Sequence, residues 1–178
     1  MGYILVRNER IEFDNETPQD LHIPEFNIIV KNCILGEGVN LWANVNIYGC
    51  RIGAECKIGN FVEIRPGVTL GERCKLEPFV FIPEGVSLGK GVFIGPNVTF
   101  TNDLYPRSCT NSGELIQEYE ITETVVKDYA SIGAGSVVLC GVTIGERAMA
   151  GAGSLVAKDM ADDELVYGQR AVSRGAVK

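Results

Sequence analysis

From Ile52 onward an apolar residue returns at every sixth position: Ile52, Ile58, Ile64, Leu70, Leu76, Ile82, Leu88, Ile94 and Phe100. Four residues after each of the first eight comes a compact residue: Cys56, Val62, Val68, Cys74, Val80, Val86, Val92 and Val98. Glycine often follows the aliphatic position, as at Gly53, Gly59, Gly71, Gly89 and Gly95. A helix returns its face every 3.6 residues and cannot carry a period of six. A simple alternating strand would show a period of two throughout. The pattern predicts short parallel strands stacked as a solenoid, each turn burying one aliphatic and one small residue per side.

The ruler extends backward through Ile29, Leu35, Leu41 and Ile47, with one residue missing before Ile52. It resumes as Val126, Ile132, Val138, Ile144, Ala150 and Val156, with small partners Ala130, Ser136, Val142, Ala148 and Ser154. Between Phe100 and Val126 it lapses. A long excursion adds little to the packing of a regular solenoid, and such loops commonly carry function. The expected organisation is one all-β domain over 1–178. Regular coils occupy about 23–100 and 126–161, with an inserted active-site loop at 101–125 and a short C-terminal cap at 162–178. Residues 1–22 are expected to cover the other end.

Composition narrows the classes. A chain of 178 residues with 46% hydrophobic and 22% charged residues is not a disordered one. Lys and Arg number 16 against 23 Asp and Glu, and the net charge of −7 is the wrong sign for a general nucleic-acid binder. No stretch approaches the roughly 20 apolar residues of a membrane span, and the opening residues 1–7 are too short and mixed for a signal peptide. The expectation is a soluble, cytoplasmic protein with neither nucleic acid nor membrane as partner. There are six cysteines but no CxxC pair. Cys33, Cys56 and Cys74 fall at the small inward position and are read as reduced core fillers. The single histidine, His22, precedes the first regular coil. One chain therefore cannot build a metal site of several imidazoles, nor a Ser-His-Asp or Cys-His device within the repeats.

The six-residue repeat resembles that of the hexapeptide-repeat acyltransferases. The resemblance implies a left-handed parallel β-helix, in which three hexapeptides make one triangular coil of 3 × 6 = 18 residues. That winding is an exception to the usual right-handed crossover. The segment from Phe93 to Asp103, followed by Tyr105-Pro106-Arg107-Ser108, is similar to the nucleotide-linked 3-amino-sugar N-acetyltransferases. Within these it most resembles the UDP-2-acetamido-3-amino-2,3-dideoxyglucuronate N-acetyltransferase group. Leu41-Trp42-Ala43-Asn44-Val45-Asn46-Ile47 resembles an early motif there, in which family members often carry histidine where this chain has Ala43 and Asn46. The resemblance implies a homotrimer with sites between subunits and no metal. It further implies acetyl transfer from acetyl-CoA to the amino group of a UDP-linked 3-amino sugar, in surface polysaccharide or O-antigen precursor synthesis.

Candidate residues follow from the ruler and the resemblance together. One coil before Asn102 lies Glu84 (102 − 18 = 84), so the two should project from the same corner of adjacent coils, about 4.8 Å apart. A carboxylate beside an amide at the mouth of a loop can receive an ammonium group. The resemblance sets Asn102 next to the reacting amine, which makes Asn102 and Glu84 the candidate catalytic pair. Asp103 and Arg107 are candidate substrate-binding residues, Arg107 being the local cation for a dianionic nucleotide. Gly133-Ala134-Gly135-Ser136 and Gly151-Ala152-Gly153-Ser154 are one coil apart, and such corners leave backbone groups open to a narrow ligand arm. The resemblance lays the pantetheine of coenzyme A along Ala134, Gly135, Ala152 and Gly153, with Lys158 near its phosphates. The family commonly ends in Gly-Asn-Pro-Ala-Arg. Here the stretch reads Gly168-Gln169-Arg170-Ala171-Val172, and Arg170 or Arg174 stands as the replacement charge.

An alcohol is a poor nucleophile at neutral pH without a general base, whereas an amine has a neutral fraction that attacks a thioester directly. Lack of histidine in the repeats therefore favours N-acylation over O-acylation. It also argues against a γ-class carbonic anhydrase, which shares the fold and needs three histidines. Two alternatives stand beside this reading: a dTDP-3-amino-sugar N-acetyltransferase with the same chemistry, and a noncatalytic β-helix scaffold.

Overall fold

A computed structural model describes residues 2–168. Its strands, mostly two residues long, pair in parallel from coil to coil and form three faces. The first face stacks Val39–Leu41, Lys57–Ile58, Lys75–Leu76, Phe93–Ile94, Ser131–Ile132, Met149–Ala150 and Leu165–Val166. The second stacks Asn46–Tyr48, Glu63–Ile64, Phe81–Ile82, Thr99–Phe100, Val137–Val138 and Leu155–Val156. The third stacks Arg51–Ile52, Thr69–Leu70, Val86–Leu88, Thr124–Val126 and Thr143–Ile144. Ile28–Leu35 is long enough to run along both the second and third faces and joins them. The result is a β-solenoid of about eight turns.

The strands are short because each hexapeptide must turn a corner. At the edge between the first and second faces, Asn44, Phe61, Phe79, Asn97, Gly135 and Gly153 stand one above another, all with positive φ. Glu55, Arg73, Gly91, Tyr129, Arg147 and Asp163 do the same between the third and first faces. A non-glycine residue in this region costs about 1–2 kcal/mol. Backbone bonds between coils, such as Phe79 N–H to Asn60 O at 3.0 Å, offset that cost. Glycine is needed just after the inward aliphatic because coils approach closely there: a Cβ on Gly71 would lie 2.6 Å from the carbonyl carbon of Gly89.

From Leu35 to Val156 every ruler residue is buried, as are its small partners. Complete burial contributes about 1.5–3 kcal/mol for each large aliphatic residue. Ile29 is the exception: it is 41% exposed, and Val30 takes the inward position. The reason lies in two shortened corners. Val30 to Leu35 and Ile47 to Ile52 each span five residues, so the coil from Val30 to Ile47 has 17 residues and the frame slips by one. Cys33 and Cys50 fill those corners with their sulfurs 3.3 Å apart. The hydrogen bond to Cys33 and burial push the Cys50 thiol up, and the equivalent bond to Cys74 with burial does so for Cys56. All six cysteines are free, and Cys109 alone is partly exposed.

At the N-terminal end, Gly2–Val6 pairs antiparallel with Glu9–Phe13 and parallel with Val39–Leu41. Gln19–Ile23 runs antiparallel along Ile28–Leu35. These strands cover the open edges of the first coil, so the regular coils begin at Ile28. At the other end Leu165–Val166 is still a rung, paired with Met149–Ala150. The described part of 162–178 therefore extends the solenoid, while Gln169 onward, with Arg170 and Arg174, lies outside the described residues. No helix among the described residues is long and apolar enough to cross a membrane.

The insertion emerges at one corner. Thr99 pairs with Val137 and Ser87 with Val125, so each coil crossing it has 38 residues, 20 more than the regular 18. Thr124–Val126 is already strand, which confines the excursion to 101–123.

Candidate functional site

Asn102 follows the buried Phe100, the last inward residue before the chain leaves the solenoid. Its carbonyl accepts the N–H of Thr122 at 2.9 Å, which ties the two ends of the insertion together. Its side-chain Nδ2 donates to Tyr119 Oη at 3.4 Å. Asp103 Oδ1 accepts the N–H of Tyr105 at 2.7 Å, so this carboxylate shapes the first turn of the loop. Asn102, Asp103, Arg107 and Tyr119 line one shallow, open cleft.

Glu84 is not on that cleft. The register Phe81 to Thr99 sets it one coil below Asn102 at the same corner. Its Oε1 faces Arg65 Nη2 at 3.9 Å rather than Asn102. Arg65 belongs to a polar ladder on the second face: Tyr48 Oη donates to Glu63 Oε1 at 3.0 Å, and Arg65 bonds Tyr48 and lies 3.7 Å from Glu63. The guanidinium also sits 5.0 Å from the centre of the Tyr48 ring. Partial burial and the Glu63 carboxylate raise the Tyr48 phenol. The structure thus brings three of the four acceptor-side candidates together and leaves the fourth, Glu84, one coil below and facing Arg65. Tyr48 and Arg65 were within reach of the same ruler, since Asn46 pairs with Glu63 two residues earlier. Tyr119 lies in the loop, where no period points to it.

The small-residue candidates of the second group lie on another edge. Gly135 and Gly153 have φ of +66° and +70°, and a Cβ on either would meet nothing within 4 Å. Gly135 N–H bonds Pro96 O and Gly153 N–H bonds Ala134 O, both at 2.8 Å, so the backbone is fixed while its outer side stays open. Ala134 and Ala152 are exposed, and Ser136 and Ser154 turn inward and are buried. Gly153, Lys158 and Tyr167 line an open cleft of about 590 Å³. Lys158 has no ion-pair partner among the described residues. An open ladder of small corners beside a lone ammonium fits a narrow arm that ends in phosphates. Among the described residues no group of three or more His, Cys, Asp or Glu is placed to hold a metal ion.

The glycine corners and Asn102 are not neighbours within one chain, although Lys158 stands two coils above Asn102 in the same corner column. Asn97 stands directly below Gly135 in its corner column, and Asn102 is five residues farther along the second face, about 16 Å at strand rise.

The bacterial transferase hexapeptide model (six repeats) matches residues 49–84 and 67–102, and the hexapeptide repeat of succinyl-transferase matches 128–158. The bifunctional protein GlmU of Pseudoalteromonas atlantica is 32% identical over 144 residues, which is 78% of this chain and 31% of that one. The dTDP-3-amino-3,6-dideoxy-alpha-D-galactopyranose 3-N-acetyltransferase of Aneurinibacillus thermoaerophilus is 54% identical over 54 residues, or 30% of this chain and 28% of that one. The chain thus spans under a third of either relative. Among solved structures, PerB from Caulobacter crescentus in complex with CoA and GDP-perosamine superposes with a TM-score of 0.60 at 21% identity. That match covers 73% of this chain and 54% of PerB. The acetyltransferase domain of PglB from Neisseria gonorrhoeae, in complex with acetyl coenzyme A, gives 0.57 at 16%, covering 76% and 54%. At these identities the structural likeness establishes the fold, a left-handed parallel β-helix. With its repeat, its register and its sequence matches in agreement, the chain belongs to the bacterial transferase hexapeptide-repeat family.

Proposed function

We propose that the protein is an acetyl-CoA-dependent N-acetyltransferase acting on the amino group of a nucleotide-linked sugar. The observation that carries this is the 54-residue stretch 54% identical to a 3-amino-sugar 3-N-acetyltransferase. The residues agree with it. His22, the one histidine, lies on Gln19–Ile23 at the closed end of the solenoid, several coils from both clefts. No imidazole is there to activate an alcohol, and an amine needs less help.

Acetyl-CoA supplies a thioester carbonyl and a thiolate leaving group. The corner of Ala134, Gly135, Ala152 and Gly153 would hold its arm, and Lys158 its phosphates. On the acceptor side, Asn102 Nδ2 is turned toward Tyr119, which leaves Oδ1 free to accept an N–H of the sugar amine. Glu84 holds the ammonium form close by; its long contact with Arg65 is easily exchanged for a shorter one to the substrate. Glu84 takes one proton from that ammonium and frees the nitrogen's lone pair; as the nitrogen bonds to the carbonyl carbon and the C–S bond breaks, the departing thiolate takes the second proton. Arg107 meets the anionic part of the acceptor. Since one chain keeps its acceptor and donor corners on different edges, the complete site lies between copies, in a homotrimer.

The loop motif favours a UDP-linked sugar, and the matched relative favours dTDP. Either places the enzyme before the assembly of a surface polysaccharide, in the cytoplasm. The test is steady-state turnover of acetyl-CoA with UDP- and dTDP-linked 3-amino sugars. Glu84→Gln and Asn102→Ala should each lower kcat at least about tenfold, while Pro66→Ala at an equivalent corner should change it little. Unchanged turnover in both variants would remove the assigned roles. Absence of CoA binding by calorimetry would return the chain to the scaffold reading.

A further inference from the structure

We infer that the cleft between Trp42, Lys57 and Lys75 binds the nucleoside diphosphate of the acceptor. This assignment rests on the nucleotide-sugar reading above and moves its principal cations from the loop to the first face. Trp42, Gly59 and Glu77 follow one another in register on successive coils, just past the paired residues Leu41, Ile58 and Leu76. Because position 59 has no side chain, a gap opens between the indole and Glu77. A Cβ at Gly59 would come within 2.9 Å of the backbone of Glu77 and Pro78, so the gap cannot be filled without forcing the coils apart. The cleft is lined by Trp42, Lys57, Asn60, Lys75, Glu77 and Pro78.

Its charge is unusual for this molecule. Lys57 and Lys75 are directly stacked partners on adjacent parallel strands, an arrangement that like charges disfavour. Glu77 pairs with Lys75 at 2.5 Å, while Lys57 has no ion-pair partner among the described residues. The cleft thus keeps a surplus positive charge in a chain of net charge −7. Aromatic surface surrounds it. Trp42 is 38% exposed, and at the bordering corner Phe61 and Phe79 stack with ring centres 4.8 Å apart, each about half exposed. Both phenylalanines hold left-handed backbone conformations that Asn or Gly would adopt at lower cost. Flat apolar rings beside an uncompensated ammonium match a heteroaromatic base joined to a diphosphate.

Position along the solenoid supports the same occupant. Asn97 N–H bonds Pro78 O, and Gly135 N–H bonds Pro96 O, so the cleft, Asn97 and the donor corner lie in that order on one edge. Asn97 shares its coil with Asn102. When a second copy presents its Asn102 corner to this edge, the amine sits level with Asn97, between the acyl donor and the cleft. From that level Lys75 is one coil away and Lys57 two, roughly 5 and 10 Å along the axis, a span comparable with the one sugar ring that separates amine from diphosphate.

Trp42 is the only tryptophan, so its emission reports on this cleft alone. The full-length protein is titrated with UDP, dTDP and GDP, with and without saturating CoA, by fluorescence and calorimetry. Saturable quenching by at least one diphosphate with CoA already bound is expected. Lys57→Gln should weaken that binding about tenfold or more, and CoA affinity should stay unchanged. Trp42→Phe, followed calorimetrically, should also weaken it. Both variants must keep the wild-type denaturation midpoint. If a diphosphate binds calorimetrically with Trp42 emission unmoved and affinity intact in both variants, the cleft assignment fails while the proposed function survives. Quenching by CoA alone, with the diphosphate excluded, would assign the cleft to the donor's own nucleotide and overturn the inference. Binding of CoA without any diphosphate would defeat the nucleotide-sugar reading and this inference with it.

Discussion

Replacing Gly135 by asparagine separates the role of the donor corner in folding from its role in binding. Gly135 has φ of +66° with nothing within 4 Å of where a Cβ would stand. Its column already carries asparagine at Asn44 and Asn97, with φ of 57° and 58°. Asparagine tolerates this conformation better than other side chains. The Gly135→Asn change should therefore alter stability by no more than about 0.5 kcal/mol, typical of a surface substitution. The added amide nonetheless occupies the open side of the corner, where the arm of coenzyme A is assigned. We expect CoA affinity to fall at least about tenfold, or ~1.4 kcal/mol. Gly133 is the internal contrast. A Cβ there would meet the backbone of the next coil, 2.7 Å from the carbonyl carbon of Gly151. Gly133→Ala should cost about 1–3 kcal/mol through overpacking. Urea denaturation midpoints and calorimetric CoA titrations of the two variants give all four numbers. If Gly135→Asn and Gly153→Asn together leave CoA affinity unchanged, the arm does not lie on this edge.

Phe100→Ala empties the largest fully buried side chain, directly before the loop, and should cost about 3–5 kcal/mol in denaturation experiments while also lowering turnover through Asn102. Tyr119→Phe removes the hydroxyl that engages Asn102 Nδ2; kcat should fall several-fold, about 1 kcal/mol for one hydrogen bond, with no change in the denaturation midpoint. Acid should loosen the last described rung before the others. The backbone N–H of Glu146 and the Lys127 ammonium hold the Asp162 carboxyl below its usual range, and Arg147 does so for Asp163. Carboxyls with depressed folded values stabilise fully above the unfolded value, about 3.9, and lose that contribution as pH falls toward the folded one. Opening free energies from hydrogen exchange at Leu165 and Val166 should drop below about pH 4, less so in Asp163→Asn, and a flat profile in the wild type would refute this.

The parts of this molecule that repeat were legible in the sequence, and the parts that do not repeat were not. From Leu35 to Val156 the period of six names the buried residues, because a corner every six residues gives each aliphatic the same environment. The one slip, Ile29 for Val30, occurred where two short corners coincide and the coil has 17 residues. Subtracting one coil also found Glu84 beneath Asn102. The same arithmetic gave no hint that Glu84 would face Arg65, because register fixes a Cα, and a long side chain then turns to whichever charge is nearest.

Periodicity also hides what it explains too easily. Lys57 and Lys75 occupy outward positions where any polar residue keeps the pattern, so each alone looks like solvated surface. Only stacking shows them to be direct neighbours, and only the gap at Gly59 shows a cavity beside them. Phe61 and Phe79 are the stronger signal, since the ruler assigns large apolar residues to inward positions and these two are three places out of step, on the corner. In a solenoid whose interior is this regular, an apolar residue at a corner is not there for the core. The acceptor cleft under the loop and the aromatic edge belong to different corners of one chain, and each faces outward. In the proposed trimer their chemistry becomes a single site where the edge of one copy meets the loop of the next, so the residues that break the repeat, rather than those that keep it, define the proposed interface between copies.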